Sequence, residues 1–309
     1  NALPSNCKLV ACSDVDKKKI KKLKNEHNCQ EFSDWKQLIK LSEIEIVIIS
    51  TPHNLLSTIA IQCLKRLKHV FIEKPGAINQ KEFSKIIHAQ KKYQKIVYVG
   101  YNHRFHPSII KSKELVKKNL LGDILYIRGR YGHGGRIGYE KEWRANKNIS
   151  GGGEIIDQGS HLIDLSTFFL GRLKLLSSFP RKYFWKIDVE DNGFIILENI
   201  KKNIAFLHAS WTEWKNLFSF EIYGQKGKIE ISGLGGSYGE ETLTLYKMSK
   251  KLGPPKKKIW RFNSEIDKSW NLEFKFFYKL IKRNNFDDTN LYDSYQTMQI
   301  IEKIYKNKI

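Results

Sequence analysis

The sequence predicts an α/β protein: a Rossmann-type, doubly wound parallel sheet, then an α+β domain with a large, mostly antiparallel, open-faced sheet. Three observations lead there. Short runs of β-branched residues alternate with charged helices over the first third of the chain, the pattern of parallel strands buried on both faces. Past Pro107 the apolar runs lengthen and alternate in and out, as in Phe218, Phe220 and Ile222, which suits a sheet with one covered face. A chain of 309 residues has room for two such units, and the change of pattern divides them as 1–106 and 107–309.

In order, Leu9–Ser13 is an apolar run closed by Asp14, and Asp16 to Glu26 is a charged helix. Ile44–Ile49 is too short and too β-branched for a helix. His53–Leu67 is amphipathic, Val70–Ile72 is a third strand, Glu82–Lys92 a helix and Ile96–Val99 a fourth strand. In the second unit Ser112–Asn119 reads as a short helix, and Glu154–Leu170 as a longer one stopped by Gly171. Strands are expected at Gly122–Tyr131, Ser178–Trp185, Gly193–Glu198, Ile204–Trp211, Phe218–Tyr223, Lys228–Ser232 and Thr242–Met248, with Gly224-Gln225-Lys226-Gly227 as a hairpin turn. The aromatic groups Tyr183–Trp185, Trp211–Trp214 and Trp260–Phe262 read as sheet core. Amphipathic helices near Lys268–Arg283 and Leu291–Tyr305 close the chain, the last expected to pack back on the first unit.

Composition excludes several classes. No stretch reaches the ~20 apolar residues that span a bilayer. The four cysteines, Cys7, Cys12, Cys29 and Cys63, form no CxxC pair and have no His at zinc spacing, so no metal site is expected and a reducing, cytoplasmic setting fits. The formal charge of +22 raises nucleic-acid binding as a reading, but only ten of the 54 basic residues are Arg, the residue that base readout and phosphate clamping favour. The lysines spread along the whole chain, so no nucleic-acid or membrane partner is expected.

In a doubly wound sheet, ligands sit beyond the carboxyl ends of the strands. Those ends supply Asp14, then Ser50-Thr51-Pro52, then Glu73-Lys74-Pro75, then Tyr101-Asn102-His103-Arg104. Asp14, Ser50, Thr51, Pro52, Glu73, Lys74 and Asn102 are therefore the candidate dinucleotide contacts. An acid at the Asp14 position favours NAD, because a carboxylate accepts from ribose hydroxyls and repels a 2′-phosphate; nearby Lys17–Lys19 leave NADP open. The glycine-rich turn that precedes such an acid by ~20 residues has no counterpart, since thirteen residues come before Asp14 and none is Gly. Asn1–Leu3 reads as the tail of the helix that should follow that turn, so the sequence is expected to lack its first strand and turn. A chain that binds no dinucleotide is the other reading.

The second cluster is Gly151-Gly152-Gly153-Glu154-Ile155-Ile156-Asp157-Gln158-Gly159-Ser160-His161-Leu162-Ile163-Asp164. On a helix Asp157 and His161 stand four apart and share a face. A carboxylate there raises and orients an imidazole, which suits general acid/base work. Gly159 weakens a helix interior by about 1 kcal/mol, a cost that suggests close packing at that point. A solvated surface Asp–His pair, with Asp164 as a third charge, is the bland alternative.

These segments together carry a family pattern. Val70-Phe71-Ile72-Glu73-Lys74-Pro75, Gly100-Tyr101-Asn102-His103-Arg104-Phe105-His106-Pro107, Trp143-Arg144, Gly151–Asp164 and Gly224–Gly227 resemble the Gfo/Idh/MocA oxidoreductases. The resemblance implies hydride transfer between a sugar, polyol or nucleotide-sugar carbon and NAD, with NADP open. It implies catalytic roles for Lys74, Asp157 and His161, a substrate side formed by Arg104, Trp143, Arg144 and Asp157, and a homodimer or homotetramer through the open sheet face. An idle NAD-sensing scaffold and an NAD-dependent glycosidase are the alternatives on the same fold. Departures are Leu56 where the family often has His, Leu67 in place of the usual Gly before the third strand, and the missing glycine turn.

Overall fold

The computed structural model describes every residue except 1–2, 5, 250–251, 263–265, 287–288 and 308–309; the expected helix tail at Asn1–Leu3 lies largely outside the described residues. The first unit runs β1 (Ala11–Ser13), α1 (Lys17–His27), β2 (Gln30–Phe32), α2 (Trp35–Leu38), β3 (Ile46–Ile49), α3 (His53–Lys65), β4 (His69–Glu73), α4 (Gln80–Tyr93) and β5 (Val97–Gly100). All its strand pairs are parallel, in two sheets ordered β1-β2 and β3-β4-β5. β2 and α2 are too short and too polar to stand out as periodic runs.

Side-chain alternation decides what covers this sheet. Val70, Ile72, Val97 and Val99 enter the main core, while Phe71 and Tyr98 face the other way onto Phe274 and Phe277. Leu67 takes φ 56°, so the chain enters β4 through a left-handed residue where glycine would be unstrained.

The second unit begins with α5 (Pro107–Lys117), which opens at Pro107 rather than at Ser112 because Pro suits the first helical turn. Then come β6 (Ile124–Gly132), α6 (Lys147–Ser150), a π-turn at Ile155–Gly159 and α7 (Ser160–Leu170). The expected single helix over 154–170 therefore starts as a wider coil. Strands β7 (Leu173–Arg181), β8 (Asn192–Asn199), β9 (Ile204–Ser210), β10 (Leu217–Gly224), β11 (Gly227–Ser232), β12 (Glu241–Lys247) and β13 (Lys256–Phe262) follow, then α8 (Ser269–Lys282) and α9 (Thr289–Lys306).

The eight strands are ordered β13-β12-β11-β10-β6-β9-β8-β7. Every neighbour pair is antiparallel except β6 with β9. β7 starts and stops earlier than expected: Tyr183 and Phe184 lie beyond it and, like Trp214, are more than half exposed, whereas Trp211 is fully buried. The aromatic clusters are thus only partly core. β13 was hidden because Lys256–Lys258 masks its alternation.

Helix α9 packs on α4, α7 and β5. Asn290 acts as a surrogate edge for β5: its Oδ1 accepts from Val99 N at 2.8 Å and its Nδ2 donates to Val99 O at 3.0 Å. Among the described residues no helix is long and apolar enough to cross a membrane.

Candidate active site

Lys74 follows β4 directly, across a cis Lys74–Pro75 peptide. Its ammonium reaches the π-turn before α7, donating to Asp157 O at 2.9 Å and to the Asp157 carboxylate. The other carboxylate oxygen accepts from Arg144 Nε at 3.1 Å. Burial alone would raise the Asp157 carboxyl, but Lys74 and Arg144 outweigh it and hold it well below the usual range. Asp157 is therefore an anion that fixes an ammonium.

His161 lies one turn on, at the first turn of α7. Its ring stacks on His103 at 3.7 Å between centroids and 17° between planes, and meets Tyr101 edge-on at 5.6 Å. The expectation that Asp157 raises this imidazole is corrected: burial and the Lys74 charge push His161 well below its ordinary value, and the Asp157 pull does not offset them. Burial is the larger cause, and the Asp157 carboxylate is shared with Lys74 and Arg144. His161 Nδ1 has no hydrogen-bond partner among the described residues, so the ring is a neutral imidazole.

Both side chains line one cavity of about 520 Å³, together with Glu73, Asn102 and Arg144. It opens between the carboxyl ends of β4 and β5 and the inner face of the large sheet. Asn102 Nδ2 donates to Ser269 Oγ at 2.9 Å, which ties the β5 end to α8. Asp14, Ser50, Thr51 and Pro52 stand at the ends of β1 and β3, outside the cavity wall. Asp14 Oδ1 accepts from Asp16 N at 2.9 Å.

Two expected substrate contacts stand outside this cavity wall. Arg104 does not line the cavity. It forks onto buried Asp164, with Nε to Oδ2 at 2.8 Å and Nη2 to Oδ1 at 2.6 Å, and reaches Asp293 of α9 at 3.0 Å. Asp164 is thus a buried partner, not a solvated charge. Trp143 also stays out of the wall; its ring meets His53 edge-on at 4.8 Å and carries the Arg144 guanidinium at 4.5 Å. His53 in turn holds Ser150 O at 2.7 Å, so it braces the loop that ends at the glycines.

Those glycines are needed for close approach. A Cβ on Gly153 would lie 2.0 Å from Glu190 O, while Glu190 Oε1 accepts from Gly153 N at 3.0 Å and Tyr305 OH at 2.7 Å. Gly159 shows only ordinary contact, 3.5 Å to Ala209 Cβ, so the packing reason falls on Gly153 instead.

Several wall residues escaped sequence reasoning. Tyr131 and His133 come from the end of β6, and Tyr238, Asp267 and Trp270 from later loops. Applying the strand-end rule to β6 would have found the first two; the loops carry no pattern.

Burial pushes the Glu73 carboxyl up to about 7, against the pull of Lys74. A carboxyl raised above its ordinary 4.5 holds its proton more tightly folded than unfolded, so its contribution to stability is complete below that value and is lost as pH rises through about 7. Glu73→Gln is expected to remove this pH-dependent loss, worth about 3 kcal/mol by pH 8. Urea unfolding of both proteins at acid and alkaline pH measures it; a stability difference that does not change with pH would contradict it.

Comparison with known proteins gives the family. Residues 1–101 match the oxidoreductase family model with an NAD-binding Rossmann fold. Residues 109–230 match the GFO/IDH/MocA C-terminal domain, so the two models cover most of the chain between them. The chain belongs to the Gfo/Idh/MocA family. Levoglucosan dehydrogenase of Pseudarthrobacter phenanthrenivorans is 30% identical over 224 residues, which is 64% of this chain and 57% of that protein. The trans-1,2-dihydrobenzene-1,2-diol dehydrogenase of Xenopus laevis is 26% identical over 225 residues, 72% of this chain and 66% of that protein. The matches thus span less than two thirds of either relative. A solved levoglucosan dehydrogenase in complex with NADH and levoglucosan superposes with a TM-score of 0.86 at 21% identity, covering 97% of this chain and 89% of that one. At that identity the likeness shows the fold.

Proposed function

We propose that this chain is an NAD(P)-dependent dehydrogenase that moves a hydride between nicotinamide and a hydroxyl-bearing carbon of a sugar, polyol or nucleotide sugar. The observation that carries it is the convergence of Lys74 and Asp157, 83 residues apart, with His161 on one cavity at the ends of parallel strands. The residues present fit a nicotinamide: Glu73, Lys74 and Asn102 stand at the strand ends, and the His161 ring lines the same space. Asp14, at the end of β1, suits ribose hydroxyls and so NAD. When bound, the nicotinamide supplies hydride acceptance or donation.

The chain's own residues handle the proton. Lys74 Nζ donates to the reacting hydroxyl oxygen and stabilises charge growing there. His161 takes the hydroxyl proton as the C–H bond breaks, and returns it in the reverse direction. Asp157 aims the ammonium, and Arg144 borders the substrate. In sum, alcohol and NAD+ become carbonyl, NADH and a proton.

The division into units 1–106 and 107–309 follows the change from parallel to mixed sheet. The open outer face, with Tyr126, Phe206 and Phe179 more than a third exposed, supports a homodimer or homotetramer. Four free cysteines suit a cytoplasmic setting.

NADH fluorescence titration tests the reading. Saturable binding, followed by NADH formation with a hydroxylated substrate, is expected. Absence of binding would end it.

A further inference from the structure

We infer that the substrate of this cavity is an uncharged sugar or cyclitol, and that its wall discriminates against phosphorylated, diphosphate-bearing and carboxylated sugars. This deepens, and rests on, the dehydrogenase reading. The inference comes from how the cations of the wall are already engaged.

Among the described residues the wall holds three fixed cations, Lys74, Arg136 and Arg144. Each has an acid. Lys74 is committed to Asp157 through both its carbonyl and its carboxylate. Arg144 lies between Asp157 at 3.1 Å and Glu142 at 4.0 Å, and Arg136 pairs with Glu142 at 2.5 Å. Against these three stand the wall acids Glu142, Asp157 and Asp267, with the Glu73 carboxyl raised to about 7 and so only partly charged.

The imidazoles do not reverse the balance. Burial keeps His103, His133 and His161 below their ordinary values, so they are neutral at pH 7. His106 sits between Glu241 at 3.4 Å and Asp267 at 3.9 Å. The large positive charge of the chain is therefore not focused on this cavity. An anionic substrate would have to draw an arginine from its acid and leave a carboxylate unpaired, a repulsive element that rejects it.

Hydroxyl groups meet a different wall. Carboxylates and the unpartnered Oε1 of Gln158 accept hydrogen bonds, and hydroxyls can donate them. The faces of Tyr131, Tyr139 and Trp270 suit the C–H surface of a saturated ring. A polyhydroxylated neutral ring satisfies both.

The test compares kcat/KM, with NAD+ and the NADH-binding protein, for neutral hexoses and cyclitols against hexose phosphates, hexuronates and nucleoside-diphosphate hexoses. Neutral compounds are expected to lead by roughly a hundred-fold. Any anionic class ahead of its neutral parent overturns the inference while leaving the dehydrogenase reading in place. No turnover with any class, in protein that binds NADH, overturns both. A second variant checks the cause. Glu142→Gln releases Arg136 and Arg144 from their shared acid, and is expected to move selectivity toward hexuronates by about ten-fold at an unchanged melting temperature. A selectivity ratio that stays put in the folded variant would show that the charge pairing does not set it.

Discussion

Lys74→Ala is expected to lower kcat by about a thousand-fold, within the range for a positioned proton-handling group. The side chain has two tasks, and alanine removes both. On the proposed mechanism its ammonium donates toward the reacting oxygen, and in the structure it is the main partner of the Asp157 carboxylate. Without it, burial acts on Asp157 with chiefly Arg144 opposing, so the carboxyl rises. His161→Ala is expected to match this loss, and the double variant to fall little further, because residues that act as a unit are not additive. Stopped-flow NADH formation at saturating substrate measures all three. A kcat within ten-fold of the parent in either single variant, or two losses that multiply, would contradict the shared-proton assignment.

The second large effect is on stability. Arg104→Ala is expected to destabilise the fold by about 3 kcal/mol, as for a buried ion pair broken on one side. Asp164 has 1% side-chain exposure and receives the guanidinium through two bonds, while the same group reaches Asp293 of α9. The change leaves a buried carboxylate unpaired and releases one tie between α9 and the strand-end turn. Removing both charges with Arg104→Met and Asp164→Leu is expected to recover most of the loss. Denaturant midpoints read this directly; a loss under about 1 kcal/mol would place Arg104 among weak surface pairs.

These two residues also show what the sequence could and could not reveal. Lys74 was legible because Glu-Lys-Pro after Val-Phe-Ile puts a cation at a strand end, where α/β ligands bind. Arg104 sits four residues past the end of β5, and strand-end logic alone nominates it equally. What separates them is the partner: Asp164 and Asp293 come from two distant helices, and no spacing rule pairs them. The Asp157–His161 spacing was read as an α-helical face. The structure instead places Asp157 in a π-turn ahead of α7, with its carboxylate on Lys74. The parallel and antiparallel regimes were visible from period and run length. β13 was not, since a strand with lysines at consecutive positions hides its alternation. The later loops with Tyr238, Asp267 and Trp270 join the wall only through the path of the chain.

The parallel pairing of β6 with β9 places β6 at the seam between two meanders, with β10 holding its other edge. Because side chains alternate along a strand, a one-residue slip would turn Tyr131 to the outside and present Arg130 to the catalytic side. Two ladders must break together for that to happen, so the aromatic wall is guarded from misregistration by both flanks.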